Sequence, residues 1–257
     1  MYFRKNLDLH ANIRPARTYP GMQARLGEFD LVVVRENTEG FYADRNIASG
    51  GSEMLITPDV VVSLRRITRQ CCERIARTAF ELAMTRNKHV TMVHKANVLK
   101  LGDGMFLEMC RQVAAEFPEV RVDDVIVDAM MAHVVRAPQR YDVIVTTNMF
   151  GDILSDLTAE LSGSLGLGGS LNAGRDYAMG QAAHGSAPDI AGQNIANPIS
   201  LILSGAMLLN WHGQKTGQAN FLQAAAAIEA TIADTILAHE CTCLLYTSPS
   251  PRDQRGS

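Results

Sequence analysis

The hydrophobic pattern of the chain alternates between short runs of β-branched residues and longer stretches with helical spacing. The short runs predict strands at Phe29–Glu36, His89–Lys95, Asp124–Asp128 and Tyr141–Asn148. The helical stretches predict one long helix over 57–87, with Pro58 at its first position, and further helices over 102–117, 151–163, 196–213 and 218–238. Strands that alternate with helices indicate an α/β fold with a largely parallel sheet. The glycine-rich residues 163–174 predict a loop and a candidate domain junction.

The composition excludes several classes of protein. The 257 residues are 47% hydrophobic, enough for a substantial core, and the net charge of −3 comes without a basic run, so no nucleic-acid partner is expected. No apolar stretch is long enough to span a bilayer, and the first residues lack a signal-peptide core. The five cysteines, with Cys71 and Cys72 adjacent, favour reduced thiols over a disulfide framework. These features predict a soluble cytoplasmic protein with no membrane partner.

The end of the sequence differs in character from the rest. Residues Cys243–Ser257 have no periodicity and are rich in Ser, Pro and Arg. Such a composition predicts a disordered tail, and the segment also resembles translated sequencing-adapter sequence. We therefore do not interpret the Cys241/Cys243 pair as a metal site.

Four predicted strands each lead to a charged residue. Arg35 follows the run LVVV, Lys95 ends VTMVHK, Asp128 ends VIVD, and Asp152 follows VIVTTN after a short turn. A solvated surface charge explains any one of them, but it is a weak explanation for all four. Because ligands of open α/β sheets bind outside the carboxyl ends of the strands, these residues predict a functional site at that edge.

Asp152 and Asp156 stand four residues apart near the start of a predicted helix, where two like charges on one face repel each other. One explanation is that the first turn of a helix favours acids, because its unpaired N–H groups carry partial positive charge. The other explanation is a divalent metal ion, which takes carboxylate oxygens as ligands. Taken alone, the pair favours the first explanation.

Two further segments are candidates for chemistry. Tyr42 and Lys95 would suit proton transfer, because neighbouring charges can tune a phenol or an amine for that role, although a half-buried tyrosine and a surface lysine are the alternative. The loop His184–Pro198, HGSAPDIAGQNIANP, would let a ligand approach the backbone closely, but a plain glycine-rich turn has the same composition. No G-x-G-x-x-G motif occurs, so a Rossmann fold is not supported.

Together these segments resemble the β-decarboxylating dehydrogenases, the family of isocitrate, isopropylmalate, homoisocitrate and tartrate dehydrogenases. The motifs that carry the resemblance are FRKNLDLHANIRP, VVRENTEGFY, VHKANVLK, VDAMMAHVV, TTNMFGDILSD and HGSAPDIAGQNIANP, in the family's order. The resemblance implies an isopropylmalate dehydrogenase-like two-domain α/β fold, non-Rossmann and truncated at its N-terminus. It also implies a smaller dimerisation and substrate domain over 10–162, with 1–9 and 163–242 belonging to the larger cofactor-binding domain.

The resemblance further implies a role for each matching residue. Substrate carboxylates would bind to Arg4, Arg14 and Arg35. Tyr42 and the partner subunit's Lys95 would form the acid–base pair, and Mg²⁺ or Mn²⁺ would bind to Asp152, Asp156 and the partner's Asp128. Cofactor would bind to Asn97, His184, Gly185, Ala187, Asp189 and Asn197, with Asp189 favouring NAD.

The implied activity is NAD- and metal-dependent oxidative decarboxylation of a 2-hydroxy di- or tricarboxylate of 3-isopropylmalate or isocitrate type, in a homodimer with shared active sites. Homoisocitrate, tartrate and malate remain alternative substrates, and Gln181 stands where the family usually has an acid. An inactive regulatory paralogue would be expected to lack Tyr42, Lys95 or an aspartate. A metal-dependent phosphatase would leave the arginines and the cofactor loop unexplained.

Overall fold

The computed structural model describes residues 2–21, 26–42 and 51–238, and the predicted tail at Cys243–Ser257 lies outside them. The strands are β1 Ala11–Arg17, β2 Asp30–Glu36, β3 Glu53–Thr57, β4 Val60–Ser63, β5 His89–His94, β6 Arg121–Ile126, β7 Val143–Thr146, β8 Leu171–Ala173 and β9 Ala178–Gly180. The helices are α1 Tyr2–Asn6, α2 Arg69–Met84, α3 Gly102–Ala114, α4 Val127–Arg136, α5 Asn148–Leu161, α6 Ile199–Thr216 and α7 Ala219–Leu237.

Seven of these strands form one sheet in the order β6-β5-β7-β2-β1-β8-β9. The first four run parallel to one another, and β1, β8 and β9 pair antiparallel with their neighbours. The predicted α/β fold is therefore confirmed, but the sheet of the described residues is mixed rather than largely parallel, because three of its six strand pairings are antiparallel. All four predicted strands are present, but β6 begins and ends earlier than predicted, so that Asp128 lies in the first turn of α4 rather than in a strand.

Different helices cover the two faces of the parallel strands. Val32 and Val34 of β2 face a core cluster with α2 and α3, whereas Leu31 and Val33 face a second cluster with α4 and α5. Side chains alternate between the faces of a strand, so helices on both sides bury the whole run. This explains why LVVV is continuously apolar.

The predicted helix over 57–87 is wrong in its first part. Strands β3 and β4 form an antiparallel hairpin with Pro58 in its turn, and α2 begins only after Thr68. The β-branched run Val60–Val62 favours a strand. The Thr68 hydroxyl accepts a hydrogen bond from the N–H of Cys71 at 3.3 Å and so caps α2 at that point.

The predicted loop at 163–174 contains more structure than expected. Residues Leu165–Leu167 form a 3-10 turn, and Leu171–Ala173 form β8, which pairs with β1. The division of the chain into two domains near residue 162 stays a prediction. None of the helices in the described residues combines the length and apolar character that crossing a membrane requires.

Candidate active site

Four charged residues lie at one edge of the sheet. Arg35 is near the end of β2, and Lys95 directly follows β5. Asp128 and Asp152 lie early in α4 and α5, the helices that follow β6 and β7. Because these four strands are parallel neighbours, their carboxyl ends meet on one side of the sheet. The contacts at this edge divide the residues into two clusters.

The arginine–aspartate cluster contains Arg14, Arg35, Tyr42, Asp152 and Asp156. Arg35 forms an ion pair with Asp152, and Arg14 donates to Asp156 Oδ1 at 2.8 Å. The Tyr42 hydroxyl donates to Asp152 Oδ2 at 3.0 Å. The arginines are buried, whereas the side chains of Asp152 and Asp156 are 26% and 31% exposed. The guanidinium groups offset the repulsion between two carboxylates on one helix face.

The start of α5 fixes the position of Arg35. Arg35 Nε donates to Asn148 Oδ1 at 2.9 Å, and Asn148 Nδ2 donates to the carbonyl of Glu39, also at 2.9 Å. A Cβ at Gly151 would stand 2.6 Å from Arg35 Cγ and 2.7 Å from Arg35 Cβ. Glycine is therefore required where the arginine crosses the helix.

Arg4, on α1, contacts two neutral amides. Its Nη1 donates to Asn37 Oδ1 at 3.0 Å, and its Nη2 donates to Gln181 Oε1 at 3.2 Å. Asn37 is itself fixed, because its Nδ2 donates to the carbonyl of Leu9 at 2.8 Å. Arg4 therefore connects α1 to the segment that precedes the predicted cofactor loop.

The lysine–aspartate cluster contains Lys95, Asp128 and Asp103. Lys95 forms an ion pair with Asp128, and this hydrogen bond holds the pKa of Asp128 below its usual range. The fully buried Asp103 accepts a hydrogen bond from the backbone N–H of Lys95 at 2.6 Å. The next N–H, that of Ala96, donates to Nδ1 of the buried His94 at 3.0 Å. Two buried side chains thus fix the turn that carries the ammonium group.

Within one chain, the three aspartates do not form a metal site. No group of three or more His, Cys, Asp or Glu side chains suited to a metal ion occurs among residues 2–21, 26–42 and 51–238. Asp128 pairs with Lys95 instead of joining Asp152 and Asp156. Asn97, predicted to bind cofactor, is exposed in the turn that follows Lys95.

The predicted cofactor loop contains two buried polar atoms that lack a hydrogen-bond partner in the described part of the chain, Nε2 of His184 and Nδ2 of Asn197. The other end of each side chain is bonded. His184 Nδ1 donates to the Gly185 carbonyl at 2.8 Å, and Asn197 Oδ1 accepts from the N–H of Ile199 at 3.0 Å. Unpartnered buried groups carry a free-energy cost that a bound polar ligand can relieve.

The middle of the same loop has a strained backbone. Ala187 adopts a left-handed conformation with φ of 41°, which is uncommon for a residue with a Cβ. The short 3-10 turn Pro188–Ile190 follows, with Asp189 exposed. Such strain is often found in ligand-binding loops.

Comparison with known proteins identifies the family. The profile of the isocitrate/isopropylmalate dehydrogenase family matches residues 1–248. The chain belongs to this family. The resemblance inferred from the motifs and the predicted fold class are therefore confirmed.

Members of the isocitrate/isopropylmalate dehydrogenase family match most of the chain. The mitochondrial NAD isocitrate dehydrogenase catalytic subunit 5 of Arabidopsis thaliana is 43% identical over 235 residues, covering 91% of this chain and 59% of the relative. The isocitrate/homoisocitrate dehydrogenase of Thermus thermophilus is 48% identical over 215 residues, covering 83% and 62%. The crystal structure of isocitrate dehydrogenase from Methylococcus capsulatus has a TM-score of 0.86 and 44% identity, covering 96% of this chain and 70% of that chain. The chain spans about 60% of the length of the curated relatives.

Several residues that fix the predicted site residues in place were not themselves predicted from the sequence. Asn37 and Asn148 stand in the motifs RENTEG and TTNMFGD, so their proximity to predicted residues was a usable signal. Asp103 and its ion-pair partner Arg65 gave no such signal, because their contacts join segments that are distant along the chain.

Proposed function

We propose that this chain belongs to an NAD- and divalent-metal-dependent enzyme that oxidises and decarboxylates a 2-hydroxy acid with a β-carboxylate. Its relatives are named isocitrate, isocitrate/homoisocitrate and 3-isopropylmalate dehydrogenases, so the proposal is for the substrate class that these names share. The observation that carries it is the arginine–aspartate cluster, in which a tyrosine and two arginines converge on two acids of α5.

The charges of this cluster support an exchange of partners on binding. Arg14 and Arg35 carry two positive charges, and Asp152 and Asp156 carry two negative charges. A polycarboxylate bound together with a divalent cation brings both kinds of charge. Its carboxylates would pair with the guanidinium groups and the cation with the aspartates, so that no buried charge is left unpaired.

The aspartates suit Mg²⁺ or Mn²⁺. Both ions favour carboxylate oxygens, and Mg²⁺ is usually bound by one or two carboxylates together with water and substrate oxygens. Asp152 and Asp156 lie about one helical turn apart on α5 and are partly exposed, so both can reach one ion. The partner's Asp128 would supply the third carboxylate. A bound ion would stabilise negative charge that develops on the substrate.

The proton transfers fall to Lys95 and Tyr42. Lys95 of the partner subunit would accept the proton of the substrate hydroxyl, and NAD, when bound, would supply the acceptor for the hydride of C2. The β-carboxylate would then leave as CO₂ with its bonding electrons forming an enolate, and Tyr42 would donate a proton to the enolate carbon. The arginines hold the substrate carboxylates and keep the reacting atoms aligned.

The loop His184–Pro198 and Asn97 would hold NAD. The unpartnered Nε2 of His184 and Nδ2 of Asn197 supply an acceptor and a donor for a polar ligand. Gly185 and Ala187 leave room for close approach of the cofactor, because neither has a large side chain. The exposed Asp189 carboxylate can accept hydrogen bonds from both adenosine-ribose hydroxyls.

A homodimer with shared active sites completes the chemistry. Each chain has Tyr42 beside Asp152 in one cluster and Lys95 beside Asp128 in the other. Two copies related by a two-fold axis would each lend Lys95 and Asp128 to the partner's arginine–aspartate cluster. Two equivalent sites would result.

The proposed location is the cytoplasm, as expected from the sequence. The relatives include mitochondrial and chloroplast proteins, so a fluorescent fusion of the longest gene product tests this point separately.

A mixture of two impaired variants tests the proposed function. Tyr42→Phe removes the acid and Lys95→Met removes the base, so neither homodimer has an intact site. In a heterodimer one site receives both natural residues, and a 1:1 mixture should recover about a quarter of the parent activity. Activity is measured as NAD reduction with isocitrate and with 3-isopropylmalate in the presence of Mn²⁺, using the longest gene product that contains this sequence.

The matched control mixes Tyr42→Phe with Asp156→Asn. These two residues belong to the same cluster, so no heterodimer site would contain both natural residues and no recovery is expected. Equal behaviour of the two mixtures would contradict the shared site.

A further inference from the structure

Arg65 lies between the two clusters of the chain. It stands in the link between β4 and α2, and its side chain is 11% exposed. Arg65 Nη2 lies 2.6 Å from Asp103 Oδ1 and donates to Thr147 Oγ1 at 3.2 Å. Its guanidinium carbon lies 5.8 Å from the ring centre of Phe41 and 5.7 Å from that of Phe150. One planar group therefore has four separate contacts.

The contact with Asp103 leads to the lysine–aspartate cluster. The second oxygen of Asp103 accepts the backbone N–H of Lys95 at 2.6 Å. Asp103 is fully buried, and a buried carboxylate needs a cation nearby. Arg65 therefore stabilises the group that fixes the Lys95 turn.

The other three contacts lead to the arginine–aspartate cluster. Phe41 directly precedes Tyr42 in the chain. Thr147 is the N-cap residue of α5, and Phe150 lies in the first turn of that helix, which also carries Asp152. Arg65 therefore touches the segments that carry the tyrosine and the aspartates.

We propose that the Arg65–Asp103 ion pair is a positioning device that holds both clusters of a chain in one fixed arrangement. This inference rests on the proposed function. In a homodimer with shared sites, the two clusters of one chain serve different active sites. Arg65 would then position Lys95 for one site and Tyr42 with the α5 aspartates for the other.

The role requires arginine rather than any cation. A guanidinium group can face a carboxylate, donate to a hydroxyl and lie over aromatic rings at the same time, whereas an ammonium group acts as a point charge. The fold keeps space for it, since a Cβ at Gly102 would stand 3.1 Å from Arg65 Nη1.

The first experiment separates positioning from stability. Arg65→Lys keeps a cation beside Asp103, so Tm should change little, while kcat should fall about 10–100-fold through misplacement of the reacting groups. The double variant Arg65→Met/Asp103→Asn leaves no buried charge unpaired and should likewise fold with a reduced kcat. The substrate KM should change less than kcat in both.

The matched control is Arg69→Met. Arg69, the first residue of α2, likewise forms an ion pair with α3, through Glu108 at 2.7 Å, but this pair is exposed. The Arg69→Met variant should therefore keep the parent kcat. If Arg65 had only a structural role, kcat would fall only in a variant whose Tm also falls, and Arg65→Lys, which keeps the cation, would leave both kcat and Tm at the parent values. That outcome would overturn the proposal.

The second experiment places Arg65→Lys in one chain of the complementing heterodimer. In the Tyr42→Phe chain it affects only the Lys95 of the intact site, and in the Lys95→Met chain it affects only the Tyr42 and α5 of that site. Both placements should lower the recovered activity. If either placement left the recovered activity unchanged, the proposal that Arg65 positions both clusters would be overturned. If the mixture of Tyr42→Phe and Lys95→Met chains recovered no activity with Arg65 intact, the shared site itself would be overturned. The comparison of kcat and Tm would still decide whether Arg65 positions catalytic groups.

Discussion

The Tyr42 hydroxyl donates to one oxygen of Asp152 at 3.0 Å, and Arg35 pairs with the other oxygen of the same carboxylate. One aspartate thus orients a phenol and neutralises a buried guanidinium group. Because Asp152 shares a helix face with Asp156, the phenol lies against the face of α5 that carries both carboxylates.

Replacement of Tyr42 by Phe should lower kcat about 10²–10⁴-fold if Tyr42 donates a proton to the enolate. The aromatic ring is retained, and only the hydroxyl is lost, so the substrate KM should change much less. The control is Tyr177→Phe, which removes a hydroxyl from an exposed side chain. A raised KM with kcat intact would show that Tyr42 binds substrate instead of transferring a proton.

Replacement of Asp156 by Asn should abolish the dependence of activity on Mn²⁺ together with turnover. The amide has nearly the same shape as the carboxylate but lacks the anionic oxygen that a divalent cation requires. Activity is measured against Mn²⁺ concentration. The control is Asp176→Asn, because Asp176 is an exposed acid whose Oδ1 lies 3.6 Å from Lys215 Nζ. An unchanged Mn²⁺ curve for Asp156→Asn would remove this residue from the metal site.

Replacement of Gly151 by Ala should displace Arg35. The new Cβ would stand 2.6 Å from Arg35 Cγ, so the arginine must move away from Asp152. Overpacking of this kind costs about 1–3 kcal/mol of stability, and kcat/KM should fall about 10–100-fold. Gly104→Ala is the matched helical control, because its Cβ meets no atom within 4 Å. Equal effects of the two substitutions would argue against the close packing of Gly151 on Arg35.

The parallel core of the fold was predictable because burial on both faces leaves a direct mark on the sequence. The run Leu31–Val34 is continuously apolar, and helices cover it on each side. The hairpin β3–β4 was not predictable from spacing alone, because Val60 and Val61 stand four and three residues before Leu64, although the β-branched run Val60–Val62 favours a strand. Strand β1 contains Pro15 and two arginines, and its pairing with β2 and β8 decides its conformation.

The candidate site likewise contains residues that the sequence pattern reveals and residues that only the packing of the elements reveals. The motifs located Tyr42, Asp152 and Asp156, because these residues lie close together in sequence or follow strands. They did not reveal Asp103 or Arg65, whose ion pair joins the β4–α2 link to α3. Contacts of that kind depend on how the elements pack, which a pattern along one chain does not record.

His10 should make stability depend on pH in the acidic range. Burial, with a smaller contribution from the charge of Arg74, lowers the pKa of His10 from 6.5 to about 4. Between these values the unfolded chain binds a proton at His10 and the folded chain does not. The stability that the neutral imidazole contributes is therefore present above pH 6.5 and is lost as the pH falls toward 4.

Replacement of His10 by Gln should remove this dependence. The amide can keep a contact with the Thr78 hydroxyl, which lies 3.3 Å from His10 Nε2. In urea unfolding between pH 6.5 and 4, the parent should lose about 3 kcal/mol more stability than the variant. His212→Gln serves as control, and parallel curves for the parent and His10→Gln would contradict the assignment.

Asp189 should select NAD over NADP. Its side chain is exposed, and Gln193 Nε2 donates to its backbone carbonyl at 2.9 Å. Among the described residues, no side-chain cap is seen at the turn Pro188–Ile190. A carboxylate at this position would accept hydrogen bonds from the ribose hydroxyls of NAD and would repel the 2′-phosphate of NADP. The next residue, Ile190, offers the phosphate neither charge nor hydroxyl.

We expect kcat/KM to be higher for NAD than for NADP, with Asp189→Lys narrowing the difference and Asp189→Asn giving an intermediate result. Asp176→Lys adds the same charge at an exposed position outside the loop and should leave the ratio unchanged. A preference of the parent enzyme for NADP would refute the role of Asp189, because no rearrangement of the loop makes a carboxylate a good partner for a phosphate dianion.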